Sequence, residues 1–505
     1  MQGAEFKSSV ICIGGGPAGL TAAYLLAKQG IPVTVLERDP VYLGGISKTV
    51  NYQNFLFDIG GHRFFSKSQE VEAMWDEILG PDFLDRPRKS RIYYTGKLFD
   101  YPLRPFDALS KLGVLEALAC ILSYGKSRLF PIKDPRNFEE WVTNKFGARL
   151  FRIFFKTYTE KVWGMKCSEI SADWAAQRIK GLSLASAILH MLLPRRKSPN
   201  RGAIIKTLID SFRYPRRGPG MMWETAGRKI LQMGGKINMG EEATGIAYDS
   251  SAHAWTVSTR DVSGEARFYK ADHVISTMSM KELFASLQPA PSPLSALAAE
   301  NLRYRDFLVV TLIVKDRNVF DDNWIYIHDP KVKVGRIQNF KSWSPEMVPD
   351  PALNCYGLEY FCFEGDSLWT ARDEELLALG RSELVKLGLA SADDILDGHV
   401  VRQIKAYPVY DDQYQERVNT LRAEIDSKYP NLHLVGRNGM HKYNNQDHAM
   451  MTAMLTVENI VAGKKLYDVW QVNQDAEYHE AGSAAVERTV AASERLVPQK
   501  VSNES

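Results

Sequence analysis

An α/β fold made of several units is predicted by three observations. The chain opens with a strand–helix–strand unit over residues 8–36. From about 106 to 212, Leu, Ala, Ile and Phe recur at helical spacing with few strand signals. From 303 to about 365, alternation such as FLVVTLIV, NWIYIH and GLEYFCF reads as an antiparallel sheet. The 505 residues leave room for roughly three to four domain-sized units.

In order, residues 8–13 form a short β-branched apolar run, 17–29 an Ala/Leu-rich helix, and 32–36 (PVTVL) a second buried strand. Strands follow at 55–62 and 91–101, the latter turning at Thr95-Gly96. The helical stretch ends in a basic segment, 194–217, that carries Arg195, Arg196, Lys197, Arg201, Arg213, Arg216 and Arg217. It is either a solvated loop or a mobile one that meets phosphates or an acidic membrane surface. Residues 220–247 return to helix and then strand across a Gly-Gly turn at 234–235. HVIST at 273–277 is a buried strand, 373–388 a helix, LHLVG at 432–436 a last short strand, and 448–463 a last helix. The chain thus divides into one discontinuous unit (1–105, 218–300, 400–470), an inserted helical unit (106–217), a sheet unit (301–399) and a polar tail (471–505).

Composition excludes several function classes. Lys+Arg is 63 and Asp+Glu is 60, a net charge of +3, which argues against a nucleic-acid partner. The five cysteines, at 12, 120, 167, 355 and 362, form no CxxC pair, so neither a disulfide framework nor a metal site is expected. The N-terminus shows no signal-peptide pattern. The apolar stretches at 111–123 and 181–193 fall short of the roughly 20 residues that span a bilayer. A cytoplasmic protein is expected, with peripheral contact at the inner membrane face through 181–217 as a further expectation.

The densest chemistry lies at Gly14-Gly15-Gly16-Pro17-Ala18-Gly19, a GxGxxG motif that follows a strand, opens a helix and precedes a strand ending at Glu37. That context is the Rossmann dinucleotide fingerprint. Gly14, Gly16 and Gly19 permit the tight turn and a close approach to pyrophosphate. The helix start at Pro17 and Ala18 offers N–H donors. Glu37 suits ribose hydroxyls and would repel a 2′-phosphate. A second glycine pair, Gly44-Gly45, follows closely and points to FAD rather than NAD.

Seven segments then occur in order: FDIGGHRFFSK (57–67), LFDYPLRP (98–105), YTEKVWG (158–164), RIKGLSL (178–184), GRIQNF (335–340), YPVYD (407–411) and GRNGMHKYNNQD (436–447). With them, the chain resembles the UDP-galactopyranose mutases and related flavoproteins of the amine-oxidase-like FAD superfamily, over about 8–465. The resemblance implies a discontinuous, Rossmann-like FAD-binding domain (GR2-type), an inserted helical domain and an antiparallel β-sheet substrate domain. It places Gly61 and His62 at the flavin, with His62 helping to govern N5, and Asp447 at the flavin from the start of the last helix. Arg38 beside Glu37 and Gly436 beside Arg437 join the cofactor set. Arg336 and Arg437 match two arginines that bind a substrate diphosphate, which suits the guanidinium fork. His62, Arg336 and Arg437 are accordingly the candidate catalytic residues. Tyr443 matches a tyrosine at the diphosphate and Tyr407 one near the cleft. Tyr158 and Trp163 lie in a polar-aromatic cluster, where Trp163 either stacks on a substrate ring or packs a domain interface.

The chain departs from the family in two places. Phe65 and Lys67 stand where the mutases carry a further histidine, and the segment after Arg336 differs. Two activities follow. One is mutase-like action through flavin N5 on a nucleotide sugar or other glycosyl diphosphate. The other is net oxidation of a substrate by hydride transfer to the flavin, as in amine and protoporphyrinogen oxidases.

Overall fold

The computed structural model describes residues 8–101, 103, 105–170, 172, 211–411, 413–473 and 500. At its centre lies a five-stranded parallel sheet in the order Leu432–Leu434, His273–Ser276, Val10–Ile13, Val33–Glu37, Lys236–Met239. Both faces of this sheet are covered, so its strands read as unbroken apolar runs rather than alternating ones. Val10 and Cys12 face the helices Pro17–Lys28, Gly220–Gln232 and Gln446–Val461. Ile11 and Ile13 face a layer that includes the hairpin strands Glu242–Asp249 and Ala254–Arg260 and the helix Tyr414–Lys428. That helix has weak amphipathic patterning, and the sequence reading does not anticipate it.

The second sheet has seven strands in the order Ile395–Pro408, Tyr304–Lys315, Leu353–Cys362, Arg336–Asn339, Trp324–Ile327, Ser90–Tyr94, Lys97–Asp100. The last two form a hairpin that turns at Thr95 and Gly96, both at positive φ (48° and 77°). In sequence this hairpin precedes the helical insert, yet it pairs with Trp324–Ile327 of the large sheet. Strand Ile395–Pro408 likewise runs on past residue 400 in that sheet. One face of the sheet packs on helix Asp373–Lys386. The other carries Phe307, Val309 and Trp324, which cluster with Phe340 and Trp343 of the short helix Phe340–Trp343 and with the small hairpin Thr49–Tyr52/Phe55–Asp58. This small hairpin lies against the large sheet, and the Gly60-Gly61-His62 segment leaves from its end.

The helical insert contains Pro105–Leu112, Val114–Leu129, Phe138–Phe146 and a run from Ala148 to Trp163 with a π-helical turn at Arg152–Lys156. At the end of the basic segment, a loop is expected and a strand is found. Ser211–Pro215 pairs with Phe83–Pro87. Arg213 pairs with Asp76 and lies over the Phe83 ring, and Arg216 bridges Asp82 at 3.0 Å and Glu346 at 2.7 Å. Carboxylates therefore neutralise these two cations within the fold, and an anion-seeking loop is not their role. Residues 194–210, the apolar stretch at 181–193 and most of the tail after 473 lie outside the described residues. Among the described residues no helix is long and apolar enough to cross a membrane.

Candidate active site

Four loops gather at the carboxyl ends of the parallel strands, where ligands bind in open α/β sheets. Gly14 leaves Ile13 at φ +99°, and a Cβ there would meet Thr277 Oγ1 at 2.1 Å. Thr277 is itself tied to the Ile13 carbonyl by its N–H (3.0 Å) and its hydroxyl (2.9 Å). A Cβ on Gly19 would lie 1.9 Å from the Gly14 carbonyl oxygen, so the helix can pack this closely only with glycine. Gly16 differs: nothing comes nearer than 3.9 Å to a Cβ there, and the first atom met is Gly45 Cα. Gly44 donates its N–H to the Gly15 carbonyl (2.8 Å) and joins the two glycine loops. Gly436, at φ +83°, approaches Ala18 so closely that a Cβ would meet the alanine methyl at 3.1 Å. Pro17 occupies the first turn of the helix, where a missing N–H costs nothing.

Glu37 is buried. It accepts the Gly15 N–H at 2.5 Å and the Asp39 N–H at 2.8 Å. Burial raises its pKa against the pull of those two donors. Arg38 turns to Glu282, 4.0 Å away. The site therefore offers a glycine-walled cradle at a helix N-terminus with a carboxylate at its edge. Ser47 Oγ, just beyond the second glycine pair, is buried without a hydrogen-bond partner. These features fit the pyrophosphate and ribose of a dinucleotide.

A second cluster forms around His62. The ring is half-buried, and its Nδ1 is enclosed with no partner. Burial, then the charges of Arg437 and Arg336, depress its pKa to about 3, so the imidazole is neutral at physiological pH. Gly61 lets this loop approach the sheet, since a Cβ would meet Gln338 Nε2 at 3.0 Å. Arg437 donates to the carbonyls of Asn444 and Ala406, both at 2.9 Å. Its guanidinium lies 5.2 Å from the centroids of both Tyr407 and Tyr443. Those two rings stack at 5.6 Å and 11°. Burial, reinforced by Tyr443, pushes Tyr407 up to about 12, so it stays a hydroxyl donor. Tyr158 stacks on His328 at 5.0 Å; it too is raised by burial, against the pull of Arg336. Asp447 sits in the first turn of the last helix, 3.5 Å from the Ser66 hydroxyl that donates to it.

The structure thus brings together His62, Arg336, Arg437, Tyr407, Tyr443 and Tyr158. Trp163 is placed otherwise. It is buried among Phe138, Val142, Phe151, Cys167 and Ile170, with Tyr443 packed at the margin. Its ring is thus part of a packed apolar cluster, the second of the two readings left open by the sequence.

Sequence reasoning misses what holds Arg336. Glu359, fully buried, accepts from Arg336 Nε and Nη2 (both 2.5 Å) and from Gln338 Nε2 (2.6 Å). Gln338 Oε1 in turn accepts the Trp343 indole N–H at 2.9 Å. Burial disfavours the charge on Arg336, but Glu359 holds its pKa well above the ordinary arginine value. The signal was present: Glu359 is the one charge in the apolar strand LNCYGLEYFC. Lys161, within YTEKVWG, is a second such residue. It donates to the carbonyls of Ile327, Asp329 and Val334 (3.2, 2.7 and 3.1 Å), ties the helical insert to the loop before Arg336, and is lowered by burial to about 8.

Two buried histidines, His328 and His441, and two half-buried ones, His62 and His433, give the fold a pH dependence. His62, His328 and His433 are depressed to about 3 and His441 to about 4, each chiefly by burial. Below about pH 6.5 the unfolded chain binds protons at these rings and the native state does not. Stability therefore falls as pH drops toward 4, on the order of 1 kcal/mol per pH unit for each ring. Asp58, raised by burial to about 8, and Glu37, Glu224 and Asp306, raised by the same cause, act in the opposite sense and offset part of this loss. Urea midpoints at pH 7 and pH 5 are expected to show a clear loss at pH 5.

The chain belongs to the family of flavin-containing amine oxidoreductases, whose model matches residues 17–460. It is a flavin-dependent enzyme with FAD as cofactor. Within that family it is similar to sugar mutases. It is 28% identical over 173 residues to dTDP-fucopyranose mutase of Escherichia coli, and 26% identical over 174 residues to a Klebsiella pneumoniae protein named as a probable UDP-galactopyranose mutase. Each alignment covers 33% of this chain and 44% of the relative, so the chain spans less than half the length of these curated relatives. In fold the likeness extends over the whole molecule. Reduced UDP-galactopyranose mutase superposes with a TM-score of 0.78 at 21% identity, over 94% of this chain and 99% of that one. The family expected from the ordered motifs is the family found.

Proposed function

We propose that this enzyme acts on a nucleotide sugar or other glycosyl diphosphate, in the manner of a mutase. The observation that carries this reading is the convergence of Arg336 and Arg437 on His62, with Tyr158, Tyr407 and Tyr443 around them. Bound FAD supplies a ring nitrogen, N5, that is a nucleophile when reduced and a hydride acceptor when oxidised.

In this reading Gly14, Gly16, Pro17, Ala18 and Gly19 hold the pyrophosphate of the cofactor. Glu37 and Arg38 lie at its adenosine end, Gly44 and Gly45 along its length, and Gly61, His62, Gly436, Arg437 and Asp447 at its flavin end. Neutral His62 places an uncharged nitrogen there and adds no competing cation. The cluster carries two guanidinium charges and the one carboxylate of Glu359, a net positive cleft suited to a diphosphate. Glu359 engages Nε and Nη2 of Arg336 and leaves Nη1 as the arm for the ligand. Tyr407, held as a hydroxyl by burial, donates without adding charge, and the Tyr443 ring stacks on it. A net oxidation is the second reading; the absence of a further histidine at Phe65 or Lys67 favours it.

Titration of the FAD-loaded enzyme with UDP, followed by flavin absorbance, tests the diphosphate site. Arg336→Lys and Arg437→Lys keep the charge and lose the fork, and each is expected to weaken UDP by about tenfold or more. Equal affinity in wild type and both variants would remove the arginines from the site.

A further inference from the structure

The helix Val114–Leu129 exposes large apolar side chains along most of its length. Leu115 is 86% exposed, Leu122 66% and Leu129 76%, with Val114, Leu118 and Ile121 also exposed. At about 100° per residue these six fall on one arc of roughly 120°. The apolar surface continues into Phe130 (75% exposed) and Ile132 just beyond the helix. Glu116, Cys120 and Ser123 take the opposite side: Glu116 pairs with Arg149, Cys120 is buried, and the Ser123 hydroxyl accepts the Arg149 N–H.

Charge follows the same geometry. On the helical wheel Lys126 borders the apolar arc on one side and Arg128 on the other. Among the described residues neither has a carboxylate partner. Lys133 follows Ile132 on the exposed surface. The one carboxylate of the helix, Glu116, is already committed to Arg149. An apolar arc bordered by cations is the pattern of a helix that lies in a membrane interface, with the side chains in the acyl boundary and the cations at the phosphates. A second copy of this chain offers the arc no such complement, since the same face brings cations and no free carboxylate.

We infer that the helix Val114–Leu129, with Phe130 and Ile132, is a docking face for an anionic lipid bilayer. The surface lies outside the basic segment 194–217 in sequence and does not depend on the nature of the substrate. Docking here would let the enzyme work at a membrane surface while the polypeptide stays outside the hydrocarbon core.

The experiment is vesicle flotation of the full FAD-loaded chain, with phosphatidylcholine alone or mixed with phosphatidylglycerol. The wild type is expected to float with the mixed vesicles and to be released by high salt. Leu118→Ser/Leu122→Ser alters only exposed side chains, so flavin content and thermal midpoint should be retained, while the bound fraction should fall about tenfold or more. Lys126→Gln/Arg128→Gln should lower binding to the anionic vesicles and abolish the difference between the two lipid mixtures. Three results would overturn the inference. One is wild type that fails to float. Another is a leucine variant that floats like wild type while neutralising Arg195, Arg196 and Lys197 abolishes flotation. The third is wild type that sediments as a dimer without binding lipid while the leucine variant sediments as a monomer, which would make the arc a contact between copies.

Discussion

Gly16→Val is expected to give a folded, colourless protein, and Gly19→Val a protein that does not fold. The two glycines are three residues apart in one motif, but their surroundings are opposite. At Gly19 a Cβ would stand 1.9 Å from the Gly14 carbonyl oxygen, a backbone atom that cannot move without unmaking the turn. At Gly16 the backbone is extended (φ −84°, ψ −175°) and a Cβ reaches only to Gly45 Cα at 3.9 Å. A valine there fits the polypeptide and fills the cradle. The cost to stability is that of a β-branched residue at a helix N-cap, about 1 kcal/mol, while the space for pyrophosphate is lost. Purification in the presence of FAD, with the visible flavin absorbance read against a thermal melt, separates the two outcomes. A yellow Gly16→Val protein with normal FAD content would show that the cofactor lies elsewhere.

Removal of the Glu359 carboxylate is expected to be the most destabilising single change in the cleft. Glu359 is fully buried and Arg336 nearly so, with 16% of its side chain exposed. Glu359→Ala would leave a guanidinium without its counter-charge and Gln338 without its acceptor. Breaking a buried pair in this way typically costs about 3–5 kcal/mol. Glu359→Gln keeps one acceptor and should cost less. The double variant Glu359→Leu/Arg336→Met removes both charges together and should recover most of the stability while UDP binding stays lost. Denaturant midpoints for the four proteins check this. A Glu359→Ala protein as stable as wild type would mean that Arg336 finds another partner or swings to solvent.

The cofactor cradle is legible in the sequence because each of its requirements falls on a short local pattern. The glycines of residues 14–19, the β-branched run that ends at Ile13 and Glu37 at the close of the next strand lie within one supersecondary unit. The substrate end is legible only by resemblance. His62, Arg336 and Arg437 come from a hairpin exit, a sheet strand and the short helix Gly436–Gly439 before the last helix, and no periodicity links them. Glu359 was hidden for a further reason. Its partner Arg336 lies 23 residues away on a neighbouring strand, and the antiparallel register that sets them directly opposite is a product of sheet assembly. For Trp163 the sequence leaves a stacking platform and a packed interface open, and only the fold sets it in an apolar cluster with Val142 and Cys167. The hairpin Ser90–Asp100 was recognised locally, including its turn, while its parallel partner more than 200 residues later could not be.

Anaerobic turnover tests the central claim most directly. Enzyme reduced with dithionite is mixed with a UDP-sugar such as UDP-galactose, or with a dTDP-sugar, and the sugar product and the flavin spectrum are followed together. The account predicts an isomeric sugar product from the reduced enzyme, with the flavin still reduced at the end and no electron acceptor consumed. Bleaching of the oxidised enzyme by a substrate that carries no diphosphate, with no turnover of any sugar nucleotide by the reduced form, would contradict it.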